Sequence, residues 1–174
     1  VGMAFWYFVK EEVDIAIIEV GMGGNFDSTN IITPELSLIT NIGFDHVQFL
    51  GDTLPLIAGE KAGIIKKSVP VVISETLEET KVVFIKKAAV MHSPITFADQ
   101  NWKDVKESEF DGKTNYKLDS EGAFRHLTFG LNGNYQKYNL PGILESVAQM
   151  RRMGWDLPSK AVLEGLKNVT ELTG

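Results

Sequence analysis

The chain contains no cysteine. That excludes a disulfide, a thiolate metal site and a cysteine nucleophile, and leaves oxygen and nitrogen as the only metal ligands on offer. A reducing, cytoplasmic setting fits this composition. Also lacking is any apolar run near the roughly 18 to 20 residues of a membrane span, so no membrane partner is expected. The start, "VGMAFWYFVKEEVD", has no basic leader followed by a cleavage site and does not read as a signal peptide. Positive charge is in deficit: 17 Lys and Arg stand against 23 Asp and Glu, a net charge of −6. This argues against a general nucleic-acid binder, although a local basic pocket could still hold an anion.

What is present describes a globular chain. With 174 residues, 44% hydrophobic and 23% charged, the length suits one ordinary domain with a sizeable core, expected over residues 1–174. Val1 stands where an initiator methionine is expected, and the chain stops at "NVTELTG" just after an apparent helix, so both ends are expected to be cut from something longer.

The apolar segment from Ala4 to Lys10 reads as the end of a helix. After Asp14 comes "IAII", a buried-strand pattern that ends at Glu19, and a second such run, "LSLIT" at Leu36 to Thr40, ends at Asn41. Two short strands that are apolar on both faces suggest a parallel sheet covered by helices. Between Thr53 and Lys66, helical spacing of Leu54, Ile57 and Ala58 follows Asp52 or Thr53 as N-cap, with Pro55 harmless in the first turn. "VPVVIS" reads as a third strand, and "LEETKVVFIKKAAVM" as an amphipathic helix with Val82, Ile85 and Ala89 on one face. This order favours a doubly wound α/β core. From Ile95 the runs become shorter and more polar; "TNYKL" and "HLTFGL", separated by "DSEGA", read as antiparallel strands. "YQKYNLPGILESVAQMRRMG" and "SKAVLEGLKNV" then read as two helices separated by "WDLP". No internal repeat, low-complexity segment or long linker is found.

In an open parallel sheet, ligands bind beyond the carboxyl ends of the strands, where Glu19 and the glycines of "IIEVGMGGNFDSTN" are expected to lie. A strand-end acid suits Mg²⁺, a hard cation that takes oxygen ligands. It can equally cap the next turn, with the glycines serving only a tight backbone. Two nucleotide motifs fail inspection. Gly21, Gly23 and Gly24 do not form G-x-G-x-x-G, because Phe26 occupies the third glycine position. "GKT" at Gly112 to Thr114 ends like a phosphate loop, but Glu107 stands where its first glycine belongs, and Asp111-Gly112 reads as a hairpin turn. After the second strand, "TNIGFDHVQFLGD" offers His46 as an imidazole ligand with Asp45 to orient it; a lone histidine is more often structural. His92 and His126 have no comparable company. Lys61, in "GEKAGIIK", is either an ordinary solvated charge or part of a site one helix after His46.

Together, "IIEVGMGGNFDSTN", "ITNIGFDHVQFLGDTL" and "GEKAGIIKKSVPVVIS" resemble the folylpolyglutamate synthase and dihydrofolate synthase family, a branch of the Mur-type ATP-dependent ligases. The resemblance is strong from about Ile15 to Ser74, weak from Lys86 to Leu118, and returns in "LNGNYQKYNLPGILESV". It implies an α/β fold: a mostly parallel sheet flanked by helices, P-loop-NTPase-like, with a small antiparallel portion. It also implies an ATP- and Mg²⁺-dependent ligase that activates a dihydropteroate or reduced-folate carboxylate as an acyl phosphate and joins it to L-glutamate, in the cytoplasm and as a monomer. Residue by residue, the resemblance makes Glu19 a Mg²⁺ ligand, His46 a ligand of a second Mg²⁺, and Lys61 the lysine carried as a carbamate. Asn139 and Gln136 match residues at the nucleotide base. The sequence departs from the pattern at Asn25, where the family carries a basic residue. The family's T-N-G-K-G-S phosphate loop is expected before residue 1, and its G-R-W or G-R-F element and glutamate-binding domain after Gly174. The competing readings are a Mur-type ligase acting on cell-wall precursors and a non-catalytic nucleotide- or protein-binding module. A plain metal-dependent hydrolase is disfavoured because no close cluster of several carboxylates and histidines is seen.

Overall fold

The computed structural model describes residues 1–44, 47–110, 112–118, 124–131, 133 and 135–172, with the backbone alone at 104–107, 110, 171 and 172. Helix α1 (Gly2–Lys10) comes first, followed by strand β1 (Ser37–Ile39), the short helix α2 (Val47–Leu50) and α3 (Leu54–Lys61), which runs into a 3₁₀ turn at Ala62–Ile64. Strand β2 (Val71–Ile73), helix α4 (Glu78–Met91), strand β3 (Ile95–Phe97) and the short α5 (Ala98–Asn101) complete the first half. Strands β4 (Asp104–Phe110), β5 (Lys113–Leu118) and β6 (His126–Phe129) then precede α6 (Gln136–Arg152), α7 (Ser159–Lys167) and α8 (Val169–Leu172).

Strands β1, β2 and β3 form a parallel sheet in that order, with Leu38 opposite Val72 and Val72 opposite Thr96. Because β2 is buried on both faces, its residues alternate between two layers. Val71 and Ile73 join Ile39, Ile57, Ala58, Ile65, Phe84 and Ala88 in a core under α3 and α4. On the opposite face α6 packs against β1 and β2, with Gly142 against the Leu38 side chain. The other sheet is antiparallel, β4-β5-β6, and closes a second core of Tyr116, Leu118, Leu127 and Phe129 against Leu140 and Leu144 of α6 and Leu166 of α7. The expected α/β architecture, a parallel sheet between helices with an antiparallel portion, is borne out.

Local signals explain several boundaries. Thr53 holds the N-cap position of α3 in extended conformation without a capping hydrogen bond from its hydroxyl, and Pro55 lies in the first turn, as expected. His92 takes a left-handed conformation at φ 49° after α4; its N–H donates to the Ala89 carbonyl and that of Ser93 to Ala88, the paired bonds of a Schellman end. Gly154, at φ 97°, ends α6 in the same way, with Trp155 N–H on the Met150 carbonyl. Phe110 pairs with Lys113 across the β4–β5 turn and Gly112 has φ 72°, so "GKT" opens a hairpin strand; Asp111 lies outside the described residues.

Three expectations are corrected. "IAII" forms no strand: residues 15–20 have no ladder partner among the described residues, and Ile15 and Ile17 are exposed, the latter 92%. Apolar composition alone does not make a strand; an inter-strand hydrogen-bond partner does. On α4 the buried residues are Thr80, Phe84 and Ala88, one i, i+4 stripe, whereas Val82, Ile85 and Ala89 face solvent. Finally, Ile95–Phe97 belongs to the parallel sheet as the neighbour of β2, so the change to antiparallel pairing begins only at β4.

Candidate functional site

The glycine-rich loop folds around one carboxylate. Asp27 Oδ2 accepts from the N–H groups of Gly21 and Met22, each at 3.0 Å, and Oδ1 accepts from the Thr29 N–H at 2.8 Å and from the Thr29 hydroxyl. Hydrogen bonds from the Thr29 hydroxyl and N–H hold the Asp27 carboxyl below its ordinary range, helped by Met22 and Gly21 and opposed by partial burial. The loop is then seated on the end of α3. Asn25 N–H donates to the Glu60 carbonyl at 2.9 Å. A Cβ on Gly24 would fall 2.7 Å from that same oxygen and 3.0 Å from the Lys61 carbonyl oxygen, so only glycine allows this approach. Asn30 Nδ2 bridges the carbonyls of Asn25 and Gly63 at 3.1 and 3.2 Å, and Lys66 Nζ donates to the Asn30 carbonyl at 2.8 Å.

Of the residues singled out in the sequence, Lys61 is half-buried at the last position of α3, directly beneath this loop. Glu19 is exposed, in irregular backbone just before Gly21 and not at the end of a strand. Asp45 and His46 lie outside the described residues. Gln136 and Asn139 are brought together on the first turn of α6, where Asn139 Nδ2 donates to Gln136 Oε1 at 3.0 Å; Gln136 is buried and Asn139 half-buried. Asn25 contributes its backbone to the seating of the loop. Among the described residues, no group of three His, Asp or Glu side chains stands close enough to hold a metal ion.

A cleft of about 410 Å³ opens at the carboxyl end of the parallel sheet, beyond β2 and β3. Ser74, Glu75 and Thr76 line one wall, Asp99, Trp102 and Lys103 another, and Lys137, Tyr138 and Pro141 of α6 a third. Asp99 is fixed by the Thr76 N–H at 2.8 Å and the Thr76 hydroxyl at 2.6 Å. Burial pushes the Glu75 carboxyl up, the nearby Asp99 charge adds to the rise, and Lys137 opposes it. Behind the cleft, the Glu145 carboxylate is 1% exposed and receives Trp102 Nε1 at 2.8 Å, Asn101 Nδ2 at 3.2 Å, and Arg152 and Gln149 at 3.0 Å each. Burial alone would raise its pKa, but these donors outweigh burial and lower it.

Asp27 and the Glu75–Asp99 pair escaped sequence reasoning. An aspartate two residues before a threonine in a glycine-rich stretch is a signal for an Asx turn and could have pointed to Asp27. Nothing local joins Thr76 to Asp99, 23 residues apart.

An open parallel sheet with helices on both faces, its loops gathered at the carboxyl edge, defines a doubly wound class of α/β domain that takes its ligands at that edge. Within that class, residues 3–144 match the Mur ligase middle domain, and the chain belongs to that family. It is 34% identical over 169 residues to a folylpolyglutamate synthase of Lacticaseibacillus casei, covering 95% of this chain and 39% of that protein. It superposes with a TM-score of 0.81 and 31% identity on Mycobacterium tuberculosis folylpolyglutamate synthase complexed with ADP and AMPPCP, covering 95% of this chain and 38% of the other. With an FPGS–AMPPCP–folate complex the TM-score is 0.82 and the identity 33%, over 94% and 40% of the two chains. The chain thus spans about two fifths of the length of these relatives, and the resemblance read from its motifs is borne out. No helix among the described residues is long and apolar enough to cross a membrane.

Proposed function

We propose that this chain is the central ATPase-type domain of a longer Mur-type ligase, which joins a folate or dihydropteroate carboxylate to the α-amino group of L-glutamate. The γ-phosphoryl group of ATP passes to the acceptor carboxylate and ADP departs. Glutamate's amine then attacks the acyl carbon, loses a proton and displaces inorganic phosphate, leaving the amide. The observation that carries this reading is the match, over nearly the whole chain, to folylpolyglutamate synthases solved with an ATP analogue and, in one case, with folate.

The chain's own residues suit these tasks. Glu19, His46 and a carbamylated Lys61 make an oxygen-rich donor set with one imidazole, of the kind a hard cation accepts, so these residues would hold Mg²⁺. When bound, Mg²⁺ neutralises charge on the transferring phosphoryl group. The exposed Glu19 carboxylate is accessible for that role, and the seating of the glycine loop on α3 restrains the turn that carries Lys61. Gln136 and Asn139 pair amide to amide, and the half-buried Asn139 still carries an amide oxygen and a second N–H of the kind a purine edge engages. The expected working form is a cytoplasmic monomer with neither nucleic-acid nor membrane partner.

Phosphate release by a ligase of the relatives' full length carrying this chain tests the reading. Dihydropteroate and tetrahydrofolate are offered separately, each with ATP, Mg²⁺ and glutamate. Release that depends on glutamate and one or both acceptors supports the reading and names the acceptor. Folded protein that releases phosphate with neither refutes it, in favour of a cell-wall-type substrate or a binding module.

A further inference from the structure

Helix α6 carries a proline in its interior and still runs from Gln136 to Arg152. Pro141 has no N–H, so the Lys137 carbonyl loses the donor an ideal helix supplies four residues on, and the proline ring crowds the same carbonyl. One residue later the ladder is bridged from outside. The Ser74 hydroxyl donates to the Tyr138 carbonyl and accepts the Gly142 N–H at 3.1 Å, the two groups that an α-helix bonds to each other. Ser74 is 1% exposed, follows β2 directly, and donates its own N–H to the Ile39 carbonyl at 2.9 Å. It therefore ties the helix to two strands at once. Gly142 permits the contact: a Cβ there would lie 2.3 Å from Ser74 Oγ. Gln136 and Asn139 flank Tyr138 on the turn that this hydroxyl holds.

We propose that Ser74 is a positioning residue for the nucleotide base, its hydroxyl setting the first turn of α6 against the sheet and so fixing Gln136 and Asn139. The inference rests on the proposed base contact of those two amides. Neither Ser74 nor Gly142 carries a local nucleotide motif; the link exists because β2 ends where the helix is interrupted by proline.

A double-mutant cycle in the full-length ligase separates this role from simple structural support. Ser74→Ala is expected to raise the KM for ATP about fivefold, the worth of roughly one hydrogen bond, with kcat and the KM for glutamate nearly unchanged. Asn139→Ala raises the KM for ATP by at least as much. The double variant is clearly less impaired than the sum of the two single effects, because Ser74 acts through Asn139 as well as Gln136. Additive effects, or a fall in kcat at unchanged KM, overturn the positioning role while leaving the base contact intact. If Asn139→Ala leaves the KM for ATP unchanged, the base contact fails and the positioning role fails with it. Should Ser74→Ala not fold, Ser74→Cys, which keeps the side chain but weakens both hydrogen bonds, takes its place in the cycle; an unchanged KM there overturns the proposal.

Discussion

Gly63 lies directly on the backbone of Asn25: a Cβ on Gly63 would fall 2.3 Å from Asn25 Cα and 2.5 Å from its nitrogen. The 3₁₀ turn after α3 and the glycine loop are therefore in contact through backbone, with no flexible side chain between them to yield. Gly63→Ala must displace one or the other, at a cost of about 1–3 kcal/mol for overpacking, and should unseat the Asn25 N–H from the Glu60 carbonyl. Gly59→Ala is the matched control, because that glycine is exposed in α3 with nothing within 4 Å of its Cβ position. It should gain about 0.5–1 kcal/mol from helix propensity. Denaturant midpoints of the two variants should move in opposite directions, and phosphate release should fall only in Gly63→Ala. Equal midpoints would show that the loop does not depend on this contact.

Glu145 is the most committed carboxylate described, buried to 1% exposure and receiving four side-chain donors. Glu145→Ala strands the indole N–H of Trp102 and takes one bond from Gln149, whose Nε2 keeps Thr96 Oγ1 at 3.0 Å, while the exposed Asn101 and Arg152, the latter 61% exposed, recover water. Breaking a buried charge-centred network by removing one member costs about 3–5 kcal/mol, and the exposed arginine places this one at the lower end. Glu145→Gln keeps the shape but turns an acceptor oxygen into a donor, and should cost less. The pH dependence has a definite sign. Because the folded-state pKa lies below the ordinary 4.5, the stabilisation is fully present above about that pH and fades as pH falls through the folded value. Wild type and Glu145→Gln should converge in denaturant midpoint under acid, and a gap that stayed constant with pH would contradict the network.

The parts legible in the sequence were those with local causes. Helix α3 announced itself through Thr53 and Pro55, and β1 and β2 through short runs that are apolar on both faces. The glycine loop and Lys61 stood out as motif residues, and the structure brings them into contact. What failed depended on distant partners. "IAII" has the composition of β2 but lacks a ladder. Helix α4 buries Phe84 between the small Thr80 and Ala88, whereas the aliphatic residues at Val82 and Ile85 advertised the wrong face. Residues Ile95–Phe97 were too short to read as a strand until β2 lay beside them. The cleft is illegible for the same reason, since Glu75, Asp99 and Lys137 meet only after the sheet and α6 have assembled.

Glu75 should destabilise the fold at neutral pH. Its folded-state pKa is raised above 4.5 by burial and by Asp99, so the folded protein holds the proton more tightly than the unfolded chain. Stability from this group is full below 4.5 and is lost as pH rises through the folded value. Glu75→Gln removes the charge and is therefore expected to be more stable than wild type at neutral pH and equal to it in acid. Because the side chain is partly solvated, the gain is held below about 1 kcal/mol. Thermal midpoints measured against pH check the sign, and a variant less stable than wild type at neutral pH would show that the carboxylate is satisfied by a partner that glutamine cannot replace.

Lys61 separates an anionic ligand from an ordinary lysine. It is half-buried at the end of α3 beneath the glycine loop, where an ammonium and a carbamate would have opposite effects on a cation held by Glu19. If Lys61 is carried as the proposed carbamate, it supplies an anionic oxygen, and Lys61→Ala should then lower turnover of the proposed full-length ligase by about a hundredfold or more, the scale of losing one electrostatic contact to developing charge. Formate or acetate, entering the space vacated by the side chain, should restore part of the rate with a saturable concentration dependence. Lys61→Arg retains positive charge and length but cannot form the carbamate in the same way, and should be as slow as the alanine variant without responding to carboxylates. Glu19→Ala, by contrast, should lose Mg²⁺-dependent turnover while keeping a wild-type melting temperature, because an exposed side chain contributes little to the fold. The decisive comparison is rate against formate concentration for Lys61→Ala: saturable rescue requires an anion at that position, whereas a flat line with Lys61→Arg fully active would make the lysine's positive charge the functional feature and remove it from the metal site.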